Sequence, residues 1–359
     1  MWIPVCRARH PGTGSATRWR ERLLAAVAVS LAGMIGAACA GREFTAGAAT
    51  PAPATAQSQP PEALYAAPTR VDRAGRVLAA VTINGHGPFR FILDTGANSS
   101  ALAPRLVEAL GLPNDPGAMV RVNGVTGSAM LPVVEIDTLR AGDIELRDVR
   151  LPMLAEHIFA GADGILGVEG LQAARIDVDF ARDRVTITQS SRARAPGGSL
   201  TVPVRLERNG LLIASGRVGR VPVQVIIDTG AERTLGNAPL RDAIEHRVSH
   251  WNRRDASVIG VTDDVSTGTT FLAPDISIGN ARLRNLPVTF DDLHVFDVWG
   301  LAGEPALLVG MDLLGTLQEF VVDYPRRELQ LKAYPDPTTQ RVRRCGPNEC
   351  QLRIPPSGP

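Results

Sequence analysis

The sequence predicts an all-β fold made of two similar halves, each with one short helix. Three observations predict it. The tetrapeptide Asp-Thr-Gly-Ala occurs twice, at Asp94-Thr95-Gly96-Ala97 and at Asp228-Thr229-Gly230-Ala231, and each copy ends an apolar run, Phe91-Ile92-Leu93 or Val225-Ile226-Ile227. The surroundings of the two copies align with each other, which marks an internal duplication. Short apolar runs bounded by turn residues recur along a chain with 35 glycines and 27 prolines, the pattern of many short strands.

The duplication holds at a slowly drifting offset. The aspartates lie 134 positions apart, as do Pro88 and Pro222. Ala103-Pro104 matches Ala238-Pro239 at 135, and Gly124-Val125-Thr126 matches Gly260-Val261-Thr262 at 136. Gly142 matches Gly279 at 137, and Ile165-Leu166-Gly167 matches Leu308-Val309-Gly310 at 143. Val178-Asp179-Phe180 matches Val322-Asp323-Tyr324 at 144. Loops of slightly different length produce such a drift. The repeated unit is about a hundred residues, an ordinary domain size.

Each half reads as strands in the same order. Residues 77–83 and 89–93 flank Asn84-Gly85, a strong hairpin signal, and 211–218 and 223–227 repeat the pattern around Gly219-Arg220. A helix is expected over 104–110, opened by Pro104 and stopped by Gly111, and another over 239–248. Late strands are expected at 175–180 with 184–188, and at 319–323 with 328–331. Ile165-Leu166 and Leu308-Val309 are too short for helices and suit buried strands beside the Asp-Thr-Gly loops.

The flanks carry other signals. Arg18, Arg20 and Arg22 precede an apolar stretch over 23–38, so residues 1–40 read as a signal peptide. Ala38-Cys39-Ala40 suits a signal peptidase, and Cys39 also suits a lipid-modified cysteine that would tether the protein to a membrane. Residues 41–70 form an Ala/Pro-rich disordered linker, 71–190 the first lobe, 191–199 an inter-lobe linker and 200–334 the second lobe. The polar tail 335–359 holds Cys345 and Cys350, which an exporting compartment would join as a local disulfide.

Composition excludes several functions. The chain of 359 residues is 44% hydrophobic, enough for two cores. Lys+Arg 38 against Asp+Glu 37 leaves a net charge of +1, and aromatics are 4%, so nothing favours nucleic acid as a partner. No cofactor or metal is expected: there is no Gly-x-Ser-x-Gly elbow, no phosphate loop and no His-Glu-x-x-His, and two tail cysteines without nearby histidine complete no zinc site. The repeated aspartate remains. Two close carboxylates cannot both ionise easily, so they share a proton and act together as acid and base.

At this point the ordered set of motifs resembles the bacterial retropepsin-like aspartic proteases, as a tandem pair in one chain. The set comprises the apolar run, Asp-Thr-Gly-Ala, a Pro-initiated helix, a Gly-containing hairpin and Asp163-Gly164-Ile165-Leu166-Gly167, with Leu307-Leu308-Val309-Gly310-Met311-Asp312 in the second half. The resemblance covers residues 75–190 and 200–333. It implies the acid-protease fold: two closed β-barrel lobes related by a pseudo-twofold axis, as a monomer acting as a pseudo-dimer. It implies an endopeptidase acting on a peptide or protein through a water held by Asp94 and Asp228, and the signal-peptide reading adds export, to the periplasm or to an anchor on a bacterial membrane.

The resemblance further implies that Thr95 and Thr229 hydrogen-bond across the axis and that Gly96 and Gly230 permit close approach. Gly124, Val125, Gly260 and Val261 would form flaps over the substrate. Ile165, Leu166 and Gly167, with Leu308, Val309 and Gly310, would pack behind the loops. Pepsin-like enzymes carry Ser or Thr where this chain has Ala97 and Ala231. The missing hydroxyl predicts a working pH nearer neutral than pepsin's. The alternative reading is a catalytically inactive two-lobed peptide-binding or scaffold protein of the envelope.

Overall fold

The structure, a computed structural model, describes residues 67–68, 75–169, 171–191, 195, 197–207, 210–247, 253–262, 264–334 and 350–353. The expected signal peptide, most of the expected linker and Cys345 of the expected disulfide lie outside the described residues.

Apolar residues alternate with half-exposed ones along Leu78–Ile83, and this strand turns back into His86–Leu93. Asn84 and Gly85 take positive φ values of 49° and 76°, which a tight turn matched to strand twist requires. The Asn84 side chain then accepts a hydrogen bond from Thr138 N at 2.9 Å, tying the turn to the neighbouring strand. Leu212–Val218 and Val221–Ile227 repeat the hairpin in the second half. The apolar runs that end these hairpins are buried on both faces, because each also pairs in parallel with a later strand. Phe91, Ile92 and Leu93 align with Gly164, Ile165 and Leu166, and Val225, Ile226 and Ile227 with Leu307, Leu308 and Val309.

The described chain is mostly β, with a few short helices. One seven-stranded sheet belongs to the first half. Its order is Ala101–Leu102, Gly164–Leu166, His86–Leu93, Leu78–Ile83, Ser128–Ala141 and Asn114–Asn123, with Ile144–Pro152 on the other edge of Ser128–Ala141. A single bridge, Leu102 to Met153, returns from the end of Ile144–Pro152 to the first strand in that order. A sixteen-stranded sheet starts with the late strands of the first half and continues through the second. At the join, Ala174–Asp179 lies antiparallel to Leu317–Asp323, with Ile176 opposite Val322, Asp177 opposite Val321 and Val178 opposite Phe320. Glu328–Ala333 and Leu200–Leu206 extend this strip on one side, Arg184–Gln189 on the other. Ala67–Pro68, at the end of the segment expected as linker, pairs with Arg184 and Val185.

Helices differ from expectation. The first runs Pro104–Ala109 as expected, with Pro at its start. The second is Ala238–Ile244, capped by the Asn237 side chain, and passes into a 3-10 turn at Glu245–Arg247; residue 248, its expected end, lies outside the described residues. Two further helices, His294–Val298 and Met311–Leu314, flank Ala306–Val309. With five and four residues they are too short for periodicity to reveal. The stretch 291–303, which has no sequence counterpart in the first half, has a positional one. The 3-10 turn Glu156–Phe159 stands between Ile144–Pro152 and Gly164–Leu166, where His294–Val298 stands between Pro287–Phe290 and Ala306–Val309.

Candidate active site

Each Asp-Thr-Gly loop leaves the end of a parallel ladder. Asp94 N donates to Leu166 O at 3.0 Å, and Asp228 N donates to Val309 O at 3.1 Å. Next, Val168 N donates to Ala97 O and Met311 N to Ala231 O, both at 2.8 Å. The expected loop-packing segments thus line each loop from behind. A side chain on Gly167 would strike the backbone of Ser99 and Ser100, and one on Gly310 that of Ala231 and Arg233, so both positions need glycine.

The two loops interlock. Thr95 Oγ1 donates to Ile227 O at 2.8 Å and accepts from Thr229 N at 3.1 Å. Thr229 Oγ1 donates to Leu93 O at 2.6 Å and accepts from Thr95 N at 3.1 Å. Both threonines are buried. The interlock sets each glycine against the opposite carboxylate: a methyl group on Gly96 would collide with the Asp228 carboxylate, and one on Gly230 with that of Asp94. Each carboxylate also accepts from its own loop. Gly96 N donates to Asp94 Oδ1 at 2.9 Å, and Gly230 N and Ala231 N donate to Asp228 Oδ1 at 2.8 and 3.1 Å. Asp94 and Asp228 are each 6% exposed, so both are withdrawn from bulk water yet not sealed. Burial first, and then the neighbouring Asp94 charge, push the Asp228 carboxyl up to about 7.

A second pair of carboxylates supports the loops, and it follows the duplication unnoticed by the sequence reading. Glu169 Oε1 accepts from Ser100 N at 2.6 Å, and Ser100 Oγ accepts from Gly167 N at 3.0 Å. In the other half Asp312 accepts from Thr234 N at 2.9 Å and from Thr234 Oγ1 at 2.7 Å, and Thr234 Oγ1 accepts from Gly310 N at 3.3 Å. Ser100 and Thr234 keep the offset of 134, Glu169 and Asp312 that of 143, so the alignment carried the signal. Burial pushes Glu169 up to about 7 and also raises Asp312. Thr234→Val leaves Gly310 N without its acceptor and Asp312 Oδ1 without its hydroxyl donor, while the backbone donor to Oδ2 stays. A urea titration is expected to read a loss of about 1–3 kcal/mol with an unchanged slope.

The expected flap residues sit at two hairpin tips that touch. Asn114–Asn123 with Ser128–Ala141 carries Gly124 and Val125, and Arg254–Ile259 with Val265–Leu272 carries Gly260 and Val261. Thr126 Oγ1 donates to Asp264 O at 2.7 Å. Each tip crosses to the opposite half. Val125 packs, as Ala231 does, against the buried cluster that contains Ile213, Ile226, Phe296 and Leu308, and accepts at its carbonyl from Val295 N at 3.1 Å. Val261 packs against the buried cluster that contains Ile92, Ala97, Phe159 and Ile165. The side chains of Ala97 and Ala231 therefore belong to apolar clusters shared with the opposite tips. Among the described residues no group of three or more His, Cys, Asp and Glu side chains is placed to hold a metal ion.

The aspartyl protease family model matches the chain twice, over residues 79–169 and 214–313, once around each Asp-Thr-Gly loop. The chain belongs to the aspartyl protease family, in a tandem two-lobed arrangement. That membership supports a protease function. No curated protein matches the chain.

Proposed function

We propose that this protein is an exported aspartic endopeptidase that hydrolyses peptide bonds with a water activated between Asp94 and Asp228, both supplied by one chain. The observation that carries this reading is the interlock, in which Gly96 abuts the Asp228 carboxylate and Gly230 that of Asp94. The ionised carboxylate takes a proton from the water as its oxygen adds to the peptide carbonyl carbon. The protonated carboxyl gives its proton to the carbonyl oxygen. Collapse of the tetrahedral species breaks the C–N bond, and the nitrogen leaves with a proton. Burial and the neighbouring charge favour one proton shared by the pair.

A local twofold relation of the lobes is part of this reading. Its support lies in the central strip, where each pairing maps onto another at the offset of 144: Ile176 with Val322 onto Phe320 with Val178, and Asp177 with Val321 onto itself. The bridge from Leu102 to Met153 favours a closed first lobe. The touching tips around Gly124 and Gly260 suit flaps that must part to admit an extended peptide. Arg18, Arg20 and Arg22 before the apolar stretch 23–38 motivate export, and Cys39 a lipid tether.

The test is cleavage of a diverse peptide library by the full chain across pH 4–8 and across a dilution series. Cleavage inside peptides, with a specific rate independent of dilution, is the expected result. A folded chain that binds peptides and cuts none at any pH would replace this reading with the binding-protein alternative. The rate is expected to fall above pH ~7, as the pair loses its shared proton, and a maximum well below pH 4 would contradict the neutral-leaning assignment.

Stability should vary in the same range. A carboxyl raised by folding contributes stability that is fully present below its unfolded value near 4 and is lost as pH rises through about 7. Thermal unfolding is therefore expected to weaken from pH 4 to 8, by the order of 2–4 kcal/mol from this group. Asp228→Asn should flatten that slope, and an unchanged slope would refute the assignment.

A further inference from the structure

The two flaps are anchored differently. The first, Asn114–Asn123 with Ser128–Ala141, is bonded at its tip to the second half: Val125 O accepts from Val295 N at 3.1 Å, and His294 Nε2 lies 3.5 Å from Asn123 Oδ1. Val295 stands in the first turn of His294–Val298, where a backbone N–H has no acceptor within its own helix. The residue is buried, and the Val125 carbonyl satisfies that donor. The seat is braced in turn. Asn237 Nδ2 donates to Leu301 O at 2.9 Å and to Glu304 O at 2.7 Å, and Asn237 Oδ1 accepts from Ala306 N at 3.0 Å. The residue that precedes the first-half helix is Ala103, whose methyl group can make none of these bonds.

The second flap, Arg254–Ile259 with Val265–Leu272, has no such seat. Among the described residues one hydrogen bond leaves its tip, from Thr126 Oγ1 to Asp264 O at 2.7 Å, and it is exposed. Val261 packs against the first-half cluster that contains Ala97, yet among the described residues no hydrogen bond joins it to Glu156–Phe159, the turn that stands where His294–Val298 stands in the other half. Lifting the first flap breaks a buried backbone bond as well as moving Val125 off its cluster. Lifting the second breaks one exposed hydroxyl bond and moves Val261. The segment held by fewer buried bonds opens at lower cost.

We infer that the first flap is a fixed wall seated on His294–Val298, and that the cleft opens by motion of the second flap alone. Lifting Val261 uncovers the Asp94 side of the cleft, while Val125 stays over the Asp228 side. The stretch 291–303, which has no sequence counterpart in the first half, is then the part that makes the flaps unequal. The inference rests on the protease reading for what enters the cleft and on the flap contacts alone for its test.

The test uses the full chain with its four cysteines replaced by serine and labelled with pairs of spin probes. One probe stands at Thr201→Cys on the central strip. The other stands at Met130→Cys on the first flap or at Val265→Cys on the second, all three being exposed positions. Electron–electron distance measurements are expected to give one narrow distance for the first flap and, for the second, a distribution widened or split by more than about 2 Å. Thr126→Val removes the exposed tie between the tips and should raise the lifted fraction of the second flap roughly two- to ten-fold. Deuterium exchange at the Val295 amide should stay as slow in Thr126→Val as in the wild type, since its acceptor does not move. Equal distributions for the two flaps, or a Val295 amide that loses its protection in Thr126→Val, would overturn the inference. A chain with one moving flap that cuts no peptide would overturn the protease reading alone.

Discussion

Asp94→Asn and Asp228→Asn are each expected to reduce kcat/KM by ~10³-fold or more without unfolding the protein. Asparagine keeps the carbonyl-type oxygen that accepts from Gly96 N or Gly230 N at 2.8–2.9 Å, so the loop geometry survives. What disappears is the shared proton. Either variant leaves a single carboxyl, which cannot serve as base toward water and acid toward the carbonyl at once. The double variant should be no worse than either single, because the two groups act as one unit. For Asp228→Asn, the thermal midpoint at pH 8 should exceed that of the wild type, since it removes a buried carboxyl whose ionisation opposes folding. A single variant that keeps a tenth of wild-type activity with the same pH profile would remove that aspartate from the mechanism.

The second large effect is on stability. Thr95→Val and Thr229→Val each remove a hydroxyl that both donates and accepts in the interlock. Each substitution leaves one buried carbonyl without its donor and one buried N–H without its acceptor. The expected loss is about 2–4 kcal/mol for either change, read from urea unfolding. The double variant should cost less than the sum, since both changes loosen the same pair of loops. Activity should fall in parallel, because the interlock aligns the carboxylates. A Thr95→Val protein with unaltered stability and activity would show that shape complementarity alone holds the loops.

Much of this architecture was legible in the residues. The repeated loop, the drifting offset and the Asn84-Gly85 turn each correspond to a local constraint, and local constraints are written in adjacent residues. Helix ends were less legible. His294–Val298 and Met311–Leu314 are stabilised by contacts such as Asp312 N to Glu232 O at 3.0 Å, which link residues far apart in the chain. The supporting pairs Ser100–Glu169 and Thr234–Asp312 obeyed the duplication, yet their partners stand 69 and 78 residues apart. An acid and a hydroxyl at that separation carry no periodicity to draw attention. Phe180 and Tyr324 aligned as equivalent aromatics, and only the folded chain revealed that the one hydroxyl is buried with no partner among the described residues.

Residue order alone established that this chain holds two copies of one β unit and that each presents an aspartate at the end of an apolar strand. Backbone preferences and hydrophobic alternation act over a few residues, so they can be read without coordinates. That each loop's glycine abuts the opposite carboxylate, that Thr95 and Thr229 lock their loops, and that Asp228 is pushed up to about 7 were decided only in the folded chain. Desolvation and Coulomb interaction depend on distance and burial, and 134 positions of sequence say nothing of either.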